Sequence, residues 1–227
     1  KAKVCSDKAI NFRTSIKNTW CACVSNFSAS SKFKKIKMDW GILSNKKEKQ
    51  EEFLFYLKEW NKVHNLTGIK DFSLWWSHHI QDSLSTLEYL NNGSVADIGT
   101  GAGIPGIPIA IESENRDVYL VESIKKKCGF LHFVKEKMKL KNINIINDRA
   151  ENIKDIKVDN VISRALGSLA YFYRVSSHLL KKNGKIISMK GTVPEQEIDE
   201  IKKRCVISIE KLKIPSFNRN LIIFFPK

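Results

Sequence analysis

The sequence predicts an α/β domain built as a doubly wound, mostly parallel sheet. Three observations predict it. From residue 93 onward short apolar runs alternate with amphipathic stretches, one of those runs feeds directly into a cluster of glycines, and a purely helical segment precedes the alternation. In chain order, apolar residues at 53, 54, 57, 60 and 63 follow a period near 3.6, which predicts an amphipathic helix over Glu51–Val63. Asn65-Leu-Thr-Gly68 ends it. Ser73 is placed to cap a second helix through Leu90, where Asn91-Asn92-Gly93 marks the stop. Strands are then predicted at Ser94–Ile98, Val118–Val121, Ile143–Ile146, Val158–Ser163 and Lys185–Met189, with helices over 105–113, 124–139, 168–182 and 194–204 between them. Residues 206–210 and 220–225 supply closing strands. Such alternation implies right-handed crossovers, and a ligand at the carboxyl ends of the strands.

The chain of 227 residues suits one such domain with a small appendage. Its division is expected at 1–37, an extension outside the fold, 38–92, a helical cap, and 93–227, the ligand-binding sheet domain. No apolar run approaches the ~20 residues a spanning helix needs, so no membrane partner is expected. Five cysteines, three of them before residue 24, describe neither a disulfide framework nor a zinc site, and free thiols are expected.

The net charge of +15 favours a polyanionic partner such as RNA. Lysine outnumbers arginine 32 to 7 in an Ile- and Asn-rich chain, however, and a biased genome produces the same excess. The charge is also uneven: residues 1–37 hold nine Lys or Arg against one acid, a net +8. That stretch is Ser-rich and lacks periodicity. It reads either as a transit peptide, which would imply an organelle, or as sequence upstream of a start at Met38; the second is preferred, with a cytoplasmic protein.

The strongest motif is Val95-Ala-Asp97-Ile98-Gly99-Thr-Gly101-Ala-Gly103-Ile104-Pro-Gly106, a strand running into glycines and then a helix. Glycines let the backbone turn tightly and come close to a ligand. Read as Gly99-x-Gly101-x-Gly103 behind Asp97, the string is a methyltransferase loop; read from Gly101, it fits a dinucleotide fingerprint. Asp97 favours the first, since a carboxylate repels a pyrophosphate but suits a ligand carrying an ammonium and a sulfonium. Glu122, at the end of the second predicted strand, can accept both ribose hydroxyls of an adenosine, which either cofactor needs. Asp148-Arg149-Ala150-Glu151 follows the third strand, where the adenine of a methyl donor would lie.

These residues resemble a known family, the bacterial 16S ribosomal RNA (guanine-N7)-methyltransferases once called glucose-inhibited division protein B. The resemblance rests on Trp60-Asn61-x-x-x-Asn65-Leu66-Thr67, His79-Ile80-x-Asp82-Ser83, Asp97 through Pro108, Glu122-Ser123, Lys126-Lys127-x-x-Phe130-Leu131, Ser163-Arg164-Ala165 and Lys190-Gly191, in order from about residue 45 to the C-terminus. It departs where Glu122 stands for a frequent Asp, Ala102 for a frequent proline, and Gly129 for a longer residue. The resemblance implies a Rossmann-like class I methyltransferase with seven strands and a helical N-terminal cap. It implies S-adenosyl-L-methionine as cofactor, with donor contacts at Gly99, Ile104, Ala150, Glu151 and Arg164 beside Asp97, Gly101, Gly103 and Glu122. It implies 16S ribosomal RNA or the small ribosomal subunit as partner, a monomer, and 7-methylguanosine as product. Candidates for RNA contact are Lys126, Lys127, Lys190, His79 and Arg164.

Guanine N7 carries an in-plane lone pair and no hydrogen, so its attack on a sulfonium methyl needs no general base, and no catalytic dyad is identified in the sequence. Catalysis by positioning can supply about 7–11 kcal/mol. In A-form RNA N7 lies in a deep, narrow groove, so the target is expected in a loop or an opened helix. Arg164 reads equally as a donor or base contact and as a salt bridge to Glu151 or Asp148. His78, His79 and Asp82 invite a metal reading, but adjacent helical histidines diverge by about 100°, so none is expected. His79 and Asp82 either hold the cap on the sheet or meet RNA. Trp75 and Trp76 suit helix-core packing better than base stacking. The alternatives are a methyltransferase with another substrate, a non-catalytic RNA-binding assembly factor and a nicotinamide-dependent oxidoreductase; donor binding and the methylated product separate them.

Overall fold

The structure is a computed structural model and describes residues 40–214 and 217–226. The extension 1–37, with three of the five cysteines, and the start at Met38 lie outside the described residues. Cys128 is buried with a free thiol.

Seven strands form one sheet: β1 Val95–Ile98, β2 Val118–Val121, β3 Ile143–Ile146, β4 Val158–Arg164, β5 Leu180–Lys190, β6 Cys205–Ile214 and β7 Phe217–Pro226. Their order is β3-β2-β1-β4-β5-β7-β6. The first five are parallel, β7 runs antiparallel beside β5, and β6 antiparallel beside β7. The sheet is thus the doubly wound one expected, and the chain reverses direction next to β1, where β1 and β4 part toward opposite edges. All four residues of β1 are buried, as a central parallel strand requires.

Helices cover both faces. α1 (Trp40–His64), α2 (Gly106–Glu112) and α3 (Lys125–Met138) share one core with the inner face of the sheet, while α4 (Leu169–Ser176) and α5 (Glu195–Ile201) build a second core on the other face. The cap belongs to the first core: Phe53 packs 6.4 Å from Phe130, and Trp60 lies 5.5 Å from Phe130 and 5.3 Å from Phe133 between ring centres. Residues 40–227 accordingly form one compact unit.

Several elements differ from expectation. α1 begins at Trp40, eleven residues before its apolar period, because its first turns are held by polar contacts: Lys46 Nζ donates to Glu112 O at 2.7 Å, Gln50 Nε2 to Pro108 O at 3.0 Å, and Lys49 pairs with Glu114 at 2.7 Å. The second cap helix is fragmented into 3-10 turns at Phe72–Leu74 and Leu87–Tyr89, a π turn at Trp76–Gln81 and an α turn at Asp82–Leu84. Its cap is Asp71, not Ser73; Asp71 Oδ1 accepts from Ser73 N and Ser73 Oγ at 2.9 and 2.7 Å. The helix expected through 182 ends at Ser176, whose Oγ donates back to Phe172 O at 2.6 Å. Leu180 is already paired with Val158 of β4, so β5 begins at Leu180 and takes in residues 180–184. Both closing strands are longer than predicted. Gly129 is exposed with nothing within 4 Å of where a Cβ would stand, so its departure from the family pattern costs no packing.

Candidate active site

β1 ends on Asp97-Ile98, and the chain turns beside β2: Gly99 N and Thr100 N both donate to Val121 O, at 2.9 and 3.1 Å. Gly101 and Gly103 hold φ of +59° and +82°, a region L side chains rarely adopt. They differ in what surrounds them. A Cβ on Gly103 would stand 2.3 Å from Ile107 Cδ1, whereas on Gly101 it would meet only Gly99 O at 3.9 Å. The turn is therefore packed below and open above.

Asp97 locks this turn. It is fully buried, and its Oδ2 accepts from Thr100 Oγ at 2.6 Å and from Gly106 N, the first residue of α2, at 2.8 Å. Its other oxygen, Oδ1, is buried with no hydrogen-bond partner. Burial raises the carboxyl to about 7, against the pull of those hydrogen bonds and of Arg164. An orphaned carboxylate oxygen beside an open glycine turn is what a cationic ligand would satisfy. Thr100, 2% exposed, is a site residue that sequence reasoning missed; its only signal is a hydroxyl between two glycines.

Glu122 closes the other side. Its Oε2 accepts from Gly101 N at 3.0 Å and its Oε1 from Ile124 N at 2.9 Å, so the carboxylate ties the glycine turn to the exit of β2. Each oxygen keeps a second lone pair, as a ribose diol needs. The main chain of Glu122 is held in turn by Asn147 Nδ2 at 2.9 Å and Cys128 Sγ at 3.3 Å, which brings the exit of β3 alongside. Ala150 is buried at the start of the 3-10 turn Ala150–Asn152, and Glu151 is exposed, 4.0 Å from Arg149. The side chain of Ile104 is in the core, which leaves its main chain for any ligand. Ile124, a large apolar side chain 50% exposed next to Glu122, was also missed; it is the one apolar residue in the polar string Glu122–Lys127.

Arg164 ends β4. Its Nη1 donates to His78 O at 2.6 Å and to Asp82 Oδ2 at 3.3 Å, so its ion pair is with the cap and not with Glu151 or Asp148. The loop it opens is strained, with Ala165 at φ +62°. His79 is fully buried between Thr67 Oγ, 3.2 Å from Nε2, and Arg164 Nη2, 3.5 Å from Nδ1. It was expected either to hold the cap on the sheet or to meet RNA, and its side chain lies buried between a cap residue and the end of β4. Burial, and then Arg164, push its pKa down to about 3, so it is neutral. Trp75 is core, its Nε1 donating to Ile69 O at 2.9 Å. Lys190 Nζ donates to Gly167 O at 2.9 Å and lies 3.3 Å from Glu197, holding the loop after β4. Of the lysines expected at RNA, Lys126 is exposed and Lys127 is half-buried, 4.0 Å from Glu122.

The strand order, the glycine turn closed by two buried carboxylates and the reversed seventh strand together define the Rossmann-like class I methyltransferase fold. TrmK from M. capricolum, solved in complex with the cofactor product S-adenosyl-homocysteine, shares it at a TM-score of 0.51 and 18% identity over 64% of this chain and 67% of that one. The family is fixed by sequence: the model for rRNA small subunit methyltransferase G matches residues 46–222, and the chain belongs to that family. A ribosomal RNA small subunit methyltransferase G of Francisella tularensis subsp. novicida is 38% identical over 181 residues, 78% of this chain and 86% of that protein. Its counterpart in Francisella philomiragia is 39% identical over 188 residues, 79% and 90%.

Proposed function

We propose that this chain methylates N7 of a guanine in small-subunit ribosomal RNA, using S-adenosylmethionine. The observation that carries the reading is Asp97 Oδ1, a buried acceptor without a partner on the carboxylate that locks the glycine turn, in a chain of the small-subunit methyltransferase family. S-adenosylmethionine supplies, when bound, a methyl group on a positively charged sulfur. Asp97 and Glu122 then set a negative field around that cation, Gly101 lets it approach the main chain, and Ala150 with Ile124 offers apolar surface on the side where its adenine is expected. Because N7 has no proton to lose, the residues need only orient the two reactants and exclude water.

The partner in this reading is 16S ribosomal RNA or the small subunit, met by a cytoplasmic monomer. Among the described residues no helix is long and apolar enough to cross a membrane. Lys125 and Lys126, exposed at the start of α3 one turn from Glu122, are the cations best placed for phosphate. Replacing both by Glu is expected to weaken RNA binding and to reduce the slope of log affinity against log salt by about one for each phosphate that is no longer neutralised. Filter binding across salt concentrations measures it, and an unchanged slope removes α3 from the RNA surface. Lys127 is left intact in that variant because a carboxylate there would crowd Glu122.

The function itself is tested by incubating the protein with methyl-labelled donor and either naked small-subunit RNA or assembled subunits, then digesting to nucleosides. Label in 7-methylguanosine is expected. Label in another nucleoside, or only in protein, overturns the substrate reading.

A further inference from the structure

The cap strings around Asn61–Thr67 and His79–Asp82 hold no part of the donor turn, yet they converge on the end of β4. Asn61 Oδ1 accepts from Thr67 N at 2.9 Å, Thr67 Oγ meets His79, and His79 Nδ1 faces the Arg164 guanidinium. At the centre is Asp82, fully buried. Its Oδ1 accepts from Arg219 Nε and its Oδ2 from Arg219 Nη2, both at 2.7 Å, and Oδ2 also takes Arg164 Nη1 at 3.3 Å. Arg219 comes from β7, 137 residues away, and its guanidinium lies 5.1 Å over the Phe217 ring, which in turn packs 4.3 Å from His78.

We propose that Asp82 is a positioning residue for methyl transfer, fixing the Arg164 guanidinium as a planar cation at the mouth of the donor site, where the RNA target enters. The inference rests on the proposed function. Three features separate this from a brace that merely ties cap to sheet. First, the bidentate pair with Arg219 already satisfies the carboxylate. Arg164 is a second guanidinium on one buried acid, so the cluster keeps an excess positive charge that suits an anionic or π-faced partner. Second, the cluster is graded: the Asp82 side chain is 0% exposed and that of Arg219 14%, while Arg164 remains 22% open. Third, three acceptors from the cap, His78 O, Asp82 Oδ2 and neutral His79 Nδ1, orient one guanidinium whose charge is felt by Asp97. Holding a group by its outer contacts in this way preorganises a site.

The test is a double-mutant cycle read as kcat/KM for formation of 7-methylguanosine. Asp82→Asn keeps the shape and removes the charge, and is expected to lower kcat/KM on the order of 100-fold. In an Arg164→Ala background the same change is expected to cost no more than about twofold, because Asp82 then has nothing to position. Equal losses in both backgrounds, or a lowered melting temperature with unchanged turnover of the folded protein, overturn the proposal. Should Asp82→Asn not fold, Asp82→Glu displaces the carboxylate by one methylene with its charge intact; a loss that disappears with Arg164→Ala supports the role and full activity overturns it. The wild type on the same RNA separates the two claims. An active wild type with additive losses overturns the role of Asp82 alone, whereas a folded, inactive wild type overturns the reading of function and this role with it.

Discussion

Asp97→Asn is expected to weaken S-adenosylmethionine binding roughly 10- to 150-fold at pH 8, the value of about 1.5–3 kcal/mol for a hydrogen bond to a charged group, and to remove the pH dependence of that binding. Burial lifts the Asp97 carboxyl to about 7, so in the empty protein it is protonated below that pH. A cationic ligand near Oδ1 favours the ionised form. Donor affinity is therefore expected to climb as pH rises toward 7 and to level off above it, with a proton released on binding at pH 6. Stability runs the other way. The folded carboxyl sits above its unfolded value of 3.8, so the folded chain holds a proton that the unfolded chain gives up between about pH 4 and pH 7. Ionisation across that window destabilises the empty protein, and bound donor or the Asn side chain relieves it. Titration calorimetry at pH 6, 7 and 8 in buffers of different ionisation enthalpy measures the first effect, and melting curves with and without donor the second. A wild type whose donor affinity is flat from pH 6 to 8 would mean that Asp97 does not face the cation.

Valine at Gly101 and valine at Gly103 are expected to fail in different ways. Both positions have positive φ, which costs an L residue roughly 1–2 kcal/mol. At Gly101 nothing else resists the side chain, since only Gly99 O comes within 4 Å of its Cβ. Gly101→Val should fold and lose donor binding, because the branch fills the open side of the turn beside Glu122. At Gly103 the Cβ would stand 2.3 Å from Ile107 Cδ1 and 3.1 Å from Leu131 Cδ2, both of them core. Overpacking there adds about 1–3 kcal/mol to the backbone strain, so Gly103→Val should lower stability markedly before any effect on binding is read. Denaturant melts and calorimetry on both variants distinguish the outcomes. Normal donor binding by a folded Gly101→Val would place the donor elsewhere.

What was legible in the sequence follows from the range of the forces involved. β1, the glycine turn and the start of α2 are set by neighbours in the chain, so the strand that ends on Asp97-Ile98, the turn through Gly101 and Gly103 and the helix after it lie where the sequence predicts them. The N-terminal half of α1 was not, because Lys46, Lys49 and Gln50 are held by Glu112, Glu114 and Pro108, residues that apolar periodicity cannot see. Residues 180–182 were read as helix because the pairing of Leu180 with Val158 is a tertiary event. The partner of Arg164 was misplaced for the same reason: Glu151 is near in sequence, but Asp82, 82 positions upstream, is where the cap folds back onto β4. Thr100 is local and was still missed, since a threonine between glycines looks like spacing until its hydroxyl is seen on Asp97.

The most direct test is calorimetric titration of the full chain, verified as folded, with S-adenosylhomocysteine and, separately, with NADH. One binding site for the first, weakened by Gly101→Val and by Asp97→Asn, with no heat from the second, is the predicted result. A folded protein that binds NADH in its place, or neither compound, contradicts the assignment of the glycine turn as the seat of a methyl donor.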